Sequence, residues 1–220
     1  MTPGIAVFDL DRTVTRAATF TPFLFHCAGA LGRSRAGMVL AALPVLTGYG
    51  LGLKTRGEAK AGMLACSIAG QERAAVARWA RDFAGGWLTA RVRPGARAAI
   101  ARHRAAGDRL VMATAAFDFH ARPFAEALGF DHLIATASVW DQAQGRDVLR
   151  PALGGDNCHG AAKLAAVRAY AGQARVAAAY SDHHSDYELL RWADKGVAVN
   201  PTGRLRALSR AHGLGVEDWN

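Results

Sequence analysis

Asp9 and Asp11 stand two positions apart at the exit of the apolar run Ile5-Ala6-Val7-Phe8. A strand-like run followed by a turn carries such a pair to the carboxyl edge of an α/β sheet, where those sheets bind ligands. Like charges that close cannot both stay ionised without cost, so their surroundings must bind a cation or drive their pKa values apart. Either outcome is chemically useful. Three more segments can bring groups to the same edge. Thr114 closes the run Leu110-Val111-Met112-Ala113 and offers a hydroxyl beside the free amides of a following helix, a place for an anion. Lys163 lies early in a helical pattern after Asn157-Cys158-His159-Gly160, and Ser181-Asp182-His183-His184-Ser185-Asp186 adds two carboxylates after another apolar run.

Each group also has an ordinary explanation. Asp11 and Thr13 suit a turn or a helix cap, Asp182 and Asp186 suit the positive end of a helix, and a lone lysine on a helix is usually solvated. Those explanations are reasonable singly and improbable together. His183 and His184 suggest a metal, but neighbouring histidines point apart, which favours solvated or substrate-facing roles.

The elements that must position these residues alternate. Strand-like runs at 5–8, 109–114, 133–138, 176–180 and 196–199 are separated by helical patterns at 94–104, 120–128, 160–170 and 186–193, with Pro94 opening the first helix and Gly129 just past the second. The pattern predicts an α/β fold: a Rossmann-like three-layer core with a parallel sheet between helices. Val139–Gln142 and Arg146–Leu149, around a Gly145 turn, read as a hairpin added to that sheet. Gly203–Arg210 reads as an amphipathic C-terminal helix.

The alternation breaks between residues 16 and 93. Those 78 residues are alanine-rich and helical without a clear strand, too long for a loop, and so are expected to form an inserted all-helical cap on a core made of residues 1–15 and 94–220. Within the cap, Ala36 to Leu53 carries no charge over 18 residues and is flanked by Arg33, Arg35, Lys54 and Arg56. Its length would permit a membrane span. Pro44 and Gly37, Gly48, Gly50 and Gly52 instead suggest two short apolar helices, packed inside the cap or lying on a bilayer surface beside lipid phosphates.

With 220 residues, 51% of them hydrophobic, the chain can bury a full core. Its net charge of +9 admits nucleic acid, an anionic membrane or acidic substrates as partners, yet most arginines are dispersed among alanines as on a solvated helix face. Without a run of basic residues interleaved with aromatics, no nucleic-acid partner is expected. Three scattered cysteines, Cys27, Cys66 and Cys158, form neither a zinc pattern nor a disulfide framework, and no signal-type segment opens the chain. The expected location is cytoplasmic, with contact to an anionic membrane left open. The oligomeric state is not legible.

Taken together, Asp9-x-Asp11-x-Thr13, Thr114, Lys163 and Asp182-x-x-x-Asp186 resemble, in order, the four motifs of the haloacid dehalogenase superfamily of phosphotransferases. The helical insertion directly after the first motif resembles the subfamily that contains phosphoserine phosphatases. The resemblance implies a magnesium-dependent phosphatase acting on a phosphomonoester, a small metabolite or a lipid head group, through an aspartyl-phosphate intermediate. It implies Asp9 as nucleophile and Asp11 as general acid and base. Mg2+ would be held by Asp9, the Asp11 carbonyl and Asp182, with Asp186 in support. Thr13, Thr114 and Lys163 would serve the phosphoryl group. Phosphoserine phosphatases carry a glutamate seven positions after the second aspartate; here that position is Ala18, although Arg56 can still hold a carboxylate or a phosphate. The apolar stretch and Phe20, Phe23 and Phe25 are loosely similar to the phosphatidylglycerophosphatase C group. The alternative is a catalytically inactive basic protein that uses the same scaffold to dock to an anionic membrane or nucleic acid.

Overall fold

The computed structural model describes residues 3–220; Met1 and Thr2, part of the opening segment read above, lie outside the described residues. Six parallel strands form the central sheet in the order β3-β2-β1-β6-β7-β8: β1 (Ile5–Phe8), β2 (Arg109–Phe117), β3 (His132–Thr136), β6 (Val176–Ser181), β7 (Gly196–Val199) and β8 (Gly215–Glu217). The inner strands β1, β2, β6 and β7 are buried on both faces, which is why they read as continuous apolar runs. Successive side chains sort to opposite faces with period two. Ala6, Phe8, Leu110 and Met112 join one hydrophobic cluster, and Ile5, Val7, Val111 and Ala113 join the other.

The first face is covered by α5 (Pro94–Ala105), α6 (Asp118–Ala127) and the inserted helices, and the second by α7 (Ala161–Ala171), α8 (Tyr187–Trp192) and α9 (Gly203–His212). Pro94 does occupy the first turn of α5, and Gly129, with φ +71°, adopts the left-handed conformation past the end of α6. Phe8 pairs in register with Met112 of β2 and Tyr180 of β6, so the segments following all three strands emerge at one edge.

The chain leaves the core at Thr15 and returns at Val92, where an antiparallel bridge joins those residues and the amide of Arg93 donates to the carbonyl of Val14 (3.0 Å). Between them lie α1 (Phe20–Ala30), α2 (Arg35–Gly50), α3 (Arg56–Ser67) and α4 (Arg73–Arg91). Ser34 caps α2 by accepting from the amide of Gly37 (3.0 Å), and Thr55 with Glu58 forms a reciprocal capping box on α3.

Three expectations need correction. The uncharged stretch holds one helix rather than two: α2 ends at Gly50 with Leu51–Leu53 in the turn beyond it, Pro44 lies inside the helix, and Leu40, whose carbonyl it cannot serve, sits on the exposed side. Nor is α2 enclosed by the cap, since only Met38 and Ala42 of it are buried. The hairpin β4 (Ser138–Ala143) and β5 (Arg146–Leu153), turned at Gln144-Gly145 with both residues at positive φ, does not extend the sheet. The free edge of β5 bonds the α3–α4 turn instead, through Gly70 to Leu149 (2.8 Å) and Leu149 to Gln71 (2.9 Å). Finally, β8 was not foreseen: three residues are too few to show a period.

Where α1, α4 and α6 meet, His120 is fully buried among Phe20, Phe23, Phe83 and Phe124, its ring stacked on Phe23 at 4.8 Å. Neither ring nitrogen has a hydrogen-bonding protein partner. Burial, with a small contribution from the Lys60 ammonium, pushes its pKa down from 6.5 to about 3. The folded protein therefore keeps the ring neutral while the unfolded chain protonates it below pH 6.5, so stability is complete above that pH and declines as pH falls. The slope from this group is about 1.4 kcal/mol per pH unit. We expect His120→Phe to flatten the acid limb of stability, with an advantage over wild type on the order of 2 kcal/mol near pH 5 that vanishes above pH 7, measured by urea unfolding across pH.

Candidate active site

The first segment of the site is the turn Leu10–Val14, which leaves β1 with Arg12 in the left-handed region (φ +63°). A non-glycine residue there carries a conformational cost on the order of 1 kcal/mol. The turn is held by the Arg93 guanidinium, which donates to the Arg12 carbonyl (3.2 Å), and by the Thr15 hydroxyl, which donates to the Leu10 carbonyl (3.0 Å). The result is that Asp9 faces inward from the strand end.

Four segments meet there. The Lys163 ammonium, on the first turn of α7, donates to Asp9 Oδ1 (2.8 Å) and to Asp186 Oδ2 (2.6 Å), and the Ser181 hydroxyl also donates to Asp186 Oδ2 (2.8 Å). The Thr13 hydroxyl donates to Asp9 Oδ2 (3.1 Å) and accepts from the Asp182 amide (3.0 Å), linking the segments after β1 and β6. Asp9, Thr13, Thr114, Lys163, Asp182 and Asp186 are all buried.

Burial governs the electrostatics. It raises Asp9 from 3.8 to about 7, against the pull of Lys163 and with the help of Asp186 and Asp182. It raises Asp182 to about 6. Burial also pushes Asp186 upward, but the Lys163 ammonium and the bonds from Lys163 and Ser181 overcome it and hold that carboxyl below its usual range. Lys163, opposed by burial, is held firmly protonated by Asp186 and Asp9. One ammonium thus faces three buried carboxylates. The residual deficit of positive charge, and a donor set of hard oxygens, fit a divalent cation such as Mg2+, which takes one or two carboxylates and retains waters. The Asp9 and Asp182 carboxylates line the cleft together. Among the described residues no three His, Cys, Asp or Glu side chains converge on one ion position. Asp186, read from sequence as a metal-supporting carboxylate, is turned to Lys163.

A cleft of about 200 Å³ opens over this cluster, lined by Asp9, Asp11, Arg12, Thr114, Lys163, Asp182 and Asp186 from the core edge and by Ala18 and Arg56 from the insertion side. Asp11 turns toward α1, accepting from the Thr19 amide (2.8 Å) and hydroxyl (2.7 Å); burial raises its pKa although both bonds oppose the shift. Arg56 donates to His159 Nε2 (3.2 Å), and burial together with that guanidinium lowers His159 to about 4.

Three readings change here. Thr13 does not line the cleft, because its hydroxyl is engaged behind Asp9. Thr114 is not followed directly by a helix: β2 continues to Phe117, Ala115 and Ala116 drop out of the ladder with β3, and the Thr114 hydroxyl accepts from the Ala116 amide (3.1 Å). The two histidines do not point apart either. Their rings lie 4.1 Å apart, since the chain bends into a helical turn at His184 instead of continuing extended, and His183 alone lines the cleft.

Sequence reading missed Lys60. From α3 its ammonium reaches the carbonyl of Ala115, beside Thr114, and donates to Asn157 Oδ1 (2.8 Å) while lying 4.6 Å over the Phe117 ring. Burial and Arg56 lower its pKa to about 8. No local signal distinguishes this lysine from a solvated one.

Buried carboxylates at the carboxyl edge of a parallel sheet, beneath inserted helices, stand where open α/β sheets bind their ligands. Residues 6–191 match the family model of the haloacid dehalogenase-like hydrolases, and the chain belongs to that family. It is 35% identical over 199 residues to the protein CicA of Caulobacter vibrioides, covering 90% of this chain and 86% of that protein. Its fold is similar to that of a Bordetella pertussis protein of unknown function (TM-score 0.85, 26% identity, all of both chains). It is also similar in fold to a substrate-bound phosphoserine phosphatase (TM-score 0.64, 14% identity, 100% and 95% covered).

The Thr13 bridge makes a direct prediction. Thr13→Val leaves the Asp182 amide and Asp9 short of a partner in a dry site, and should cost about 1–3 kcal/mol of stability in urea unfolding, whereas Thr13→Ser should stay near wild type.

Proposed function

We propose that the chain is a magnesium-dependent phosphomonoesterase that works through an aspartyl-phosphate. The observation that carries this reading is the Asp9–Lys163–Asp186 cluster, with Asp182 tied to Asp9 through Thr13, at the floor of the cleft. A scaffold retained only for binding has no use for mutually repelling buried carboxylates.

Phosphate monoester hydrolysis calls for accelerations of up to ~10²¹-fold, which no single group supplies. In this reading a carboxylate oxygen of Asp9 bonds to phosphorus while the bond from phosphorus to the ester oxygen breaks, and Asp11 passes its proton to the departing alkoxide. Asp11, now a carboxylate, then takes a proton from a water that attacks the same phosphorus. The bond to Asp9 breaks and inorganic phosphate leaves. Lys163 and Thr114 hold phosphoryl oxygens, and the ammonium keeps Asp9 oriented and charged. Mg2+ bound by Asp9, Asp182 and the Asp11 carbonyl would neutralise charge developing on the phosphoryl oxygens.

The leaving group belongs to a small metabolite or a lipid head group. Ala18 supplies no carboxylate for an ammonium, while Arg12 and Arg56 favour a leaving group with an anionic substituent.

Release of phosphate from p-nitrophenyl phosphate should require Mg2+ and stop with EDTA, and Asp9→Asn should lower kcat by roughly 10³-fold or more. Acid quenching during turnover should trap covalent phosphate on wild type and none on Asp9→Asn. Equal rates for the two proteins would refute the proposal. A panel of phosphorylated metabolites and phospholipids ranked by kcat/KM identifies the leaving group.

A further inference from the structure

Seven of the eight large apolar side chains exposed among the described residues fall between positions 39 and 53: Val39, Leu40, Leu43, Leu46, Tyr49, Leu51 and Leu53. Leu40, Leu51 and Leu53 are 65%, 69% and 78% exposed, more than scattered surface leucines need explain. Val39, Leu40, Leu43 and Leu46 project from one side of α2, at spacings of one, four and seven residues, while the adjoining stripe through Met38 and Ala42 packs inward. The helix is thus apolar nearly all round, with only the stripe through Met38 and Ala42 covered by the protein.

The ends of this surface are cationic. Arg33 precedes α2 and Arg35 opens it, and Lys54 and Arg56 follow it; between Asp11 and Glu58 the chain holds no acidic residue. A second copy of the chain is therefore a poor occupant, because pairing α2 with itself in either direction sets cations against cations. Lipid phosphates are complementary to both ends, with the apolar side lying at the level of the acyl chains. No helix among the described residues is long and apolar enough to cross a membrane, so a bilayer contact through α2 would be an in-plane one. We propose that the outward face of α2, with Leu51 and Leu53, docks the protein on an anionic bilayer.

Docking has a consequence for the cleft. Arg56, the cation at one end of the apolar surface, is also the residue of α3 that lines the cleft, so the bound protein presents that opening at the head-group layer. The docking itself does not depend on the phosphatase reading.

The test is co-sedimentation of the full chain with vesicles of phosphatidylcholine alone or with added phosphatidylglycerol, at low and high salt. Binding should require the anionic lipid, weaken with salt, fall roughly tenfold or more in Leu40→Gln/Leu43→Gln, and fall by a smaller factor in Lys54→Gln. These side chains are exposed and outside the cleft, so each variant should keep wild-type circular dichroism and, if the chain hydrolyses p-nitrophenyl phosphate, the wild-type rate. Absence of wild-type binding to anionic vesicles would overturn the proposal. So would binding that the leucine substitutions leave unchanged, or a wild-type dimer that those substitutions dissociate without any vesicle binding.

Discussion

The Lys163 ammonium stands between Asp9 and Asp186 in a space almost closed to water, and the geometry of the sheet's carboxyl edge depends on that contact. Burying a charge is costly unless it is paired and fully hydrogen-bonded, and removing one partner from a buried pair leaves the other stranded at a cost of about 3–5 kcal/mol. The cluster meets this condition with a division of labour. Asp186 receives both Lys163 and Ser181 and is held ionised, whereas Asp9 shares the ammonium and is left with a raised pKa. The imbalance leaves Asp9 and Asp182 as the pair with most to gain from a further cation.

The inserted helices act on this edge through few contacts. Their neck is the Thr15–Val92 bridge, immediately beyond the strained turn at Arg12. From there α1 presents Thr19 to Asp11, and α3 presents Lys60 to the carbonyl of Ala115 and Arg56 to the cleft. Hydrophobic packing is continuous from the sheet into the insertion, since Phe8 and Met112 share a cluster with Phe23, Leu64 and Trp79. The placement of Asp11 and of the segment after Thr114 is accordingly coupled to how the insertion packs.

Much of the core was legible because its signals are local. Strands buried on both faces read as short apolar runs, Pro94 and Gly129 mark helix ends by backbone chemistry, and chemistry-bearing residues stand just past strand ends. The errors arise where a non-local partner decides. The edge of β5 pairs with Gly70 and Gln71 rather than with the sheet, and β8 is a three-residue strand formed by its neighbour β7. In α2 the helix continues through Pro44, and apolar character did not reveal which residues the rest of the protein covers.

By itself, the sequence determined the alternation that makes a parallel sheet, the interruption after the first motif, and the residue types at each strand exit, because these depend on propensity, periodicity and chain order. Only the tertiary structure decided which carboxylate Lys163 secures, that Thr13 bridges two segments behind Asp9, that Lys60 reaches the segment after Thr114, and that most of α2 is left uncovered. Those outcomes depend on burial and on hydrogen bonds between residues as far apart as Asp9 and Lys163, separated by 154 positions. Such contacts exist only once the sheet has set its register.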